Sequence, residues 1–372
     1  MGEAFVIQLL RKITVEVEKN LSVMICEGSS ESNVLFSFGV ITDIQYADIR
    51  DRLNYFKTKW RRYRNALSCL RGAVAHWKDA KSSPAFIVQL GDIIDGFNAD
   101  LIDTNDSGRN FSQEALEAVM NEFSKLPDGV PVFHNMGNHE LYNFSRQELE
   151  NSSLHPSNNR LSAAFLNSDD RLTSAKKKTK PFYFSFVPHP KFLFVYLDSY
   201  DVSILGVDES SCQYREAYEM IRRYNKNDDL HSPVGLNGLD RRFVKFNGAI
   251  SLEQLSWLEA TLKTAKEHGQ KAVIFSHVPI YPGLPDAMTI LWNYQDVLKV
   301  LWQFHCVVAC FHGHTHQYGY AVDEKGIHHY IFDAVVEAPL DSNAFATLNV
   351  KDDSIEIEGF GIIKDQVLKF SH

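Results

Sequence analysis

Val307-Val308-Ala309-Cys310-Phe311-His312-Gly313-His314-Thr315-His316 is an apolar run that breaks into imidazoles around a glycine. Five apolar residues are a strand's length, and the glycine marks where such a strand stops. His314 and His316, at i and i+2 just beyond, can aim their rings at one place. Three earlier apolar runs end in the same chemistry. Residues 34–41 lead into Thr42-Asp43-Ile44-Gln45, residues 85–90 into Gly91-Asp92-Ile93-Ile94-Asp95, and residues 130–136 into Gly137-Asn138-His139-Glu140. A further run, 271–275, precedes Ser276-His277. Each piece alone is weak, since Gly-Asp is usually a turn and a single histidine is usually packed. Five in order, each after a strand, imply a metal site assembled from the whole chain.

The alternation of these strands with helical periodicity predicts a largely parallel sheet with covering helices, polar motifs lying at the C-terminal ends of the strands. A helix is expected within 55–80, where Tyr63, Leu67, Leu70, Val74 and Trp77 recur at helical spacing before Pro84. A second, capped by Ser112, would bury Leu116, Val119, Met120 and Phe123. Residues 182–186 and 192–197 read as a hairpin. Ser251 and Gln254 form a capping box for a helix through Leu255, Leu258 and Leu262 that stops at Gly269. Residues 290–304 read as helix, and 329–336, 344–350 and 355–360 as strands. Two polar stretches interrupt the pattern, at about 143–180 and 200–247. The first carries Lys176-Lys177-Lys178, read as a solvated run, and the second a helix near 214–224. The expected organisation is an N-terminal extension over 1–33 and one domain over 34–372.

With 372 residues, 44% hydrophobic and 23% charged, the composition is that of a soluble globular protein. A formal net charge of -9 argues against a nucleic-acid partner. No apolar run approaches the roughly 20 residues of a membrane span. The N-terminus has neither a signal-peptide pattern nor, with Val6 where Ser or Thr is needed, a myristoylation motif. The five cysteines include no C-x-x-C pair, which suits free thiols in a reducing compartment; Cys306 and Cys310 read as buried structural thiols. A cytoplasmic monomer without a membrane partner is expected.

Asp43, Gln45, Asp92, Asn138, His277, His314 and His316 are seven oxygen or imidazole donors. That is too many for one ion and suits two ions that share a carboxylate. Two ions about 3.5–4 Å apart clamp the attacking and leaving oxygens of an in-line displacement, which suits phosphorus centres.

The series Asp43-x-Gln45, Gly91-Asp92-x-x-Asp95, Gly137-Asn138-His139-Glu140, His277 and Gly313-His314-x-His316 resembles the calcineurin-like metallophosphoesterase superfamily, over nearly all of 34–360. The resemblance implies an α/β fold, a four-layer α/β/β/α sandwich with a dimetal site on top. It also implies that Asp92 bridges the ions, one bound by Asp43, Gln45 and His316 and the other by Asn138, His277 and His314. His139 would then protonate the leaving phosphate oxygen with Asp95 orienting it, although Asp95 also fits a plain turn or helix cap. Gln45 stands where the superfamily has histidine. A hard, neutral amide oxygen favours Mn²⁺ or Mg²⁺ and weakens affinity; Zn²⁺ or Fe are the alternatives.

Asp-x-Gln, residues 137–144 and residues 246–258 are together similar to the Mn²⁺-dependent ADP-ribose/CDP-alcohol diphosphatases. That likeness implies cleavage of ADP-ribose to AMP and ribose 5-phosphate, and of CDP-choline, CDP-ethanolamine or CDP-glycerol to CMP and a phosphoalcohol. A base wants an aromatic face and a diphosphate wants Arg or amide donors. The loops beside the motifs offer Tyr55, Phe56, Asn143, Asn237, Arg241, Phe243 and Tyr281, for each of which ordinary packing is an equal reading. A cyclic nucleotide phosphodiesterase or phosphomonoesterase on the same fold remains an alternative. A non-catalytic scaffold is disfavoured because every donor and His139 are present.

Overall fold

Rings from two sheets interlock at the centre of the molecule. Phe38 meets Phe194 at 5.1 Å, Phe86 meets Phe186 at 5.4 Å and Phe133 meets Phe186 at 4.3 Å, in edge-on and stacked pairs that add about 1 kcal/mol each to the burial of their area. The computed structural model describes residues 34–78, 83–102, 108–166 and 180–371. The expected extension over 1–33 and the Lys176-Lys177-Lys178 run lie outside them.

The strands are β1 (Phe36–Ile41), β2 (Arg52–Leu53), β3 (Trp60–Arg61), β4 (Ile87–Gln89), β5 (Val132–His134), β6 (Phe184–His189) and β7 (Phe192–Leu197), followed by β8 (Lys271–Ser276), β9 (Val307–His312), β10 (Gly319–Val322), β11 (His328–Ile331), β12 (Ala344–Val350), β13 (Ser354–Gly361) and β14 (Gln366–Lys369). One sheet has the order β14-β13-β12-β1-β4-β5 and the other β10-β11-β9-β8-β7-β6. Helices α1 (Tyr63–Trp77) and α2 (Phe111–Phe123) cover the first sheet. At Gly39 a Cβ would collide with Trp77 and Ile87, so glycine lets α1 lie directly on β1. Past α3 (Asn138–Asn143), α4 (Arg146–Asn151), α5 (Arg160–Phe165) and α6 (Cys212–Tyr224), helices α7 (Leu252–Glu267) and α8 (Tyr294–Leu301) cover the second sheet. The four-layer α/β/β/α sandwich is observed.

The sheets are less parallel than the pattern suggested. β1-β4-β5 and β7-β8-β9-β11 are parallel, but β12, β13 and β14 run antiparallel beside β1, and β6 and β10 edge the second sheet antiparallel. After β11 no crossover helix intervenes, so the chain returns by hairpins. Four expectations shift locally. Asn110, not Ser112, caps α2 by accepting from Gln113 N–H. Ser251 caps α7, but Gln254 turns away to Asp198, leaving the box half-made. The strand expected to Val336 ends at Ile331 and is followed by the turn Val335–Glu337. The polar stretch after 143 contains α4 and α5. Cys310 is buried, whereas Cys306 is only half-buried; both are free. No helix among the described residues is long and apolar enough to cross a membrane.

The parallel strands β1, β4, β5, β8 and β9 deliver their motifs to one rim. There the loops bind each other directly: Asp43 N–H donates to Gly91 O at 3.1 Å, Gln45 N–H to Asp92 O at 2.9 Å and Gly313 N–H to His277 O at 3.1 Å.

Candidate metal centre

Among the described residues six non-glycine positions have positive φ, and five are donors singled out above: Asp43 (48°), Gln45 (43°), Asp92 (57°), His314 (67°) and His316 (62°). Left-handed backbone costs a non-glycine residue about 1 kcal/mol or more, and it persists where surrounding contacts over-determine it. Glycines permit the crowding. A Cβ on Gly313 would strike Thr42 and Asp43, and one on Gly137 would strike Asp92.

The result is two clusters that share one carboxylate. Asp92, His277 and His314 offer ligand atoms within 4.8 Å of one another, and so do Asp43, Asp92 and His316. His316 Nε2 lies 3.2 Å from Asp43 Oδ1, and His277 Nε2 lies 3.4 Å from Asp92 Oδ2. The Gln45 amide nitrogen lies beside the second cluster, 3.0 Å from Asp92 Oδ2 and 2.9 Å from His316 Nε2. Asn138 opens α3, and its neighbour His139 donates its backbone N–H to Asp92 Oδ1 at 2.9 Å.

These residues fit two divalent cations. Gln45 Oε1 and His277 Nε2 are buried with no hydrogen-bond partner, an expensive condition for donor-rich groups that a cation relieves. The donors are all oxygen and imidazole, as hard and borderline divalent ions prefer. Burial opposes charge on both Asp92 and His277, yet their pairing prevails: Asp92 is held well below the usual carboxylate range and His277 is pushed up to about 9. Since a ligating imidazole must be neutral, metal uptake here releases protons.

Each histidine is aimed by its other nitrogen, and sequence reasoning missed most of these partners. His277 Nδ1 donates to Leu90 O at 2.7 Å. His314 Nε2 faces Asn247 Oδ1 at 2.7 Å, while Asn247 Nδ2 donates to Arg242 O and Met288 O. His316 Nδ1 faces Glu337 Oε1 at 3.0 Å. Tyr200 donates its hydroxyl to Asn138 Oδ1 at 3.1 Å. Glu140, quoted above only as part of a motif, accepts from the backbone N–H groups of Asp92, Ile93 and Gly137 and so clamps two loops together. Glu140 and Asn247 both lay in stretches already quoted, whereas nothing local distinguished Glu337.

His139 stands at the rim. Its Nδ1 accepts from Gly96 N–H at 2.8 Å and lies 3.3 Å from Asp95 Oδ2, while Nε2 faces inward, 4.0 Å from Asp92. Burial works against charge on His139, but Asp92 and Asp95 outweigh it and raise its pKa. Asp95 Oδ1 caps the turn Gly96–Asn98 through Phe97 N–H, the plainer of the two roles weighed above, while its Oδ2 makes no hydrogen bond. His312, which was left out of the donor set, is packed inside β9 with Nδ1 on Ser276 O, and burial pushes its pKa down to about 3.

A calcineurin-like phosphoesterase family model matches residues 36–318. The chain belongs to the calcineurin-like phosphoesterase family. It is 43% identical over 343 residues to the manganese-dependent ADP-ribose/CDP-alcohol diphosphatase of Bos taurus, covering 92% of this chain and 96% of the relative. It is 34% identical over 332 residues to the protein of that name from Arabidopsis thaliana, covering 89% and 96%. A solved dimetal phosphatase from Danio rerio superposes with a TM-score of 0.79 at 36% identity, covering 91% of this chain and 100% of that one.

Above the centre of this calcineurin-like phosphoesterase opens a cleft of about 730 Å³, the size of a small-molecule site. Tyr55 (70% exposed) and Phe56 (53%), at the tip of the β2–β3 hairpin, line it. Other expected contacts are corrected. Asn143 spends its amide on Asp95 O, His139 O and the Ser112 hydroxyl. Phe243 is buried and stacks on Tyr224 at 3.8 Å. Tyr281 stacks on His329 at 4.8 Å, and Asn237 and Arg241 point to solvent; none of these five lines the cleft. Lys59, Arg61, Tyr142, His231 and Phe246 line it instead.

Proposed function

We propose that the chain is a dimetal phosphoanhydride hydrolase that splits ADP-ribose and CDP-alcohols, with Mn²⁺ as its activating ion. The observation that carries this reading is the single carboxylate, Asp92, common to two donor clusters at the floor of a cleft large enough for a nucleotide. The likeness to the Bos taurus diphosphatase over nine-tenths of the chain supports the substrate class. Asp43, Gln45 and His316 would hold one ion and Asn138, His277 and His314 the other, Asp92 touching both. Two divalent ions held there would supply Lewis acidity for in-line attack of water on phosphorus.

The chain's own groups do the rest. His139 Nδ1 accepts the Gly96 N–H, which leaves the proton on Nε2, facing the cleft and placed to protonate the departing phosphate oxygen. The imidazolium that makes this transfer carries a second proton on Nδ1, which would exchange the Gly96 contact for Asp95 Oδ2, 3.3 Å away. Lys59 and Arg61 bring positive charge to the cleft wall, and Tyr55, Phe56 and Phe246 offer aromatic faces to a base. The test is product analysis with Mn²⁺ on equal concentrations of ADP-ribose, CDP-choline, a cyclic nucleotide and a phosphomonoester. AMP and CMP from the first two, well above turnover of the others, is the expected outcome. Preferential opening of the cyclic nucleotide replaces the substrate class.

A further inference from the structure

The turn Val335–Glu337 is fastened to the first motif by two backbone bonds, Val335 N–H to Thr42 O at 3.3 Å and Val336 N–H to Asp43 O at 3.1 Å. It thereby delivers the Glu337 carboxylate, 6% exposed, to the outer side of His316. The same carboxylate pairs with Lys59 Nζ at 3.2 Å and lies 3.8 Å from Arg61 Nε. Lys59 Nζ also reaches His316 O at 3.5 Å. Both cations end the hairpin whose tip holds Tyr55 and Phe56 over the cleft.

The other two histidines of the centre face neutral groups, a carbonyl and an amide. Each half has one amide among its donors, Gln45 or Asn138, but His316 is the single imidazole of its half, and it alone of the three faces a carboxylate on its outer nitrogen. An anionic outer partner raises the donor strength of an imidazole and fixes its tautomer and orientation. A neutral amide oxygen supplies less. We propose that Glu337 is a positioning residue that offsets the weak Gln45 donor by strengthening His316, and that through Lys59 and Arg61 it ties this half of the centre to the cleft hairpin. The inference rests on the ligand assignment proposed above.

The test is Mn²⁺ titration of the full chain by calorimetry, which reads metal binding without turnover, for wild type, Glu337→Gln and the double variant Gln45→His/Glu337→Gln. Glu337→Gln is expected to weaken one Mn²⁺ site about 10–100-fold and leave the other unchanged. Adding Gln45→His should recover most of that loss, because imidazole restores the missing donor strength; damage to the fold alone would not respond to a change on another loop. At saturating Mn²⁺ the KM for the diphosphate substrate should rise about tenfold through loosening of the hairpin. Equal weakening of both sites, no weakening, or no recovery by Gln45→His overturns the proposal, and an unchanged KM removes the hairpin link. Should Glu337→Gln fail to fold, Glu337→Asp keeps the charge but withdraws it from His316; the same one-site loss is expected, and unaltered Mn²⁺ binding overturns the proposal. Wild type binding fewer than two ions would overturn the ligand assignment instead.

Discussion

Across Asp92 the two halves of the centre are supported by different chemistry. Around Asp43, Gln45 and His316 the support is ionic: Glu337 behind His316, with Lys59 and Arg61 behind Glu337. Around Asn138, His277 and His314 it is neutral: the Leu90 carbonyl, the Asn247 amide and the Tyr200 hydroxyl. Neutral hydrogen bonds fix direction with little effect on donor strength, whereas a carboxylate does both. The difference teaches that the half with a single imidazole, His316, is the one whose histidine has an ionic outer partner, while His277 and His314 are held by neutral ones.

Three substitutions test this contrast, beginning with the group common to both halves. Asp92→Asn keeps the shape and removes the shared charge. Both ions should be lost and turnover should fall about 10³-fold or more, as several kcal/mol of transition-state stabilisation disappear. Elemental analysis reads the metal, and retention of one ion at full affinity would show that the halves are independent. His139→Ala should lower kcat about 10³-fold while both Mn²⁺ ions stay bound, since His139 belongs to neither half. Unchanged turnover would remove it from the chemistry. Asn247→Ala frees His314 to turn and should weaken Mn²⁺ about tenfold at one site. In calorimetry that site should differ from the one weakened by Glu337→Gln; a loss at the same site would erase the contrast.

Much of the centre was legible because its donors are polar groups placed directly after apolar strands. The Asp43, Asp92 and His314 motifs each mark where a strand ends, and an α/β layering puts such ends on one rim. The hairpin of β6 and β7 and the helix near 214–224 were legible from local periodicity alone. The antiparallel flank of β12, β13 and β14 went unread although its connections are too short for a parallel crossover, because the strand–helix alternation earlier in the chain pointed to a parallel sheet. Asn143, Phe243 and Tyr281 carry side chains suited to a nucleotide, but which face of a loop they occupy depends on neighbours remote in sequence: Asp95, Tyr224 and His329 respectively.

What the sequence determined by itself was the candidate donors, their order, the alternation of strands and helices and the amide at position 45, because those are properties of local pattern and side-chain chemistry; the four-layer sandwich came from the family resemblance. The tertiary structure alone decided that Asn247 reaches His314 across 67 residues, and that Glu337 backs His316. Those are contacts between loops, made by backbone hydrogen bonds such as Val336 to Asp43, and hydrogen bonds between segments so far apart leave no periodicity for a sequence to display.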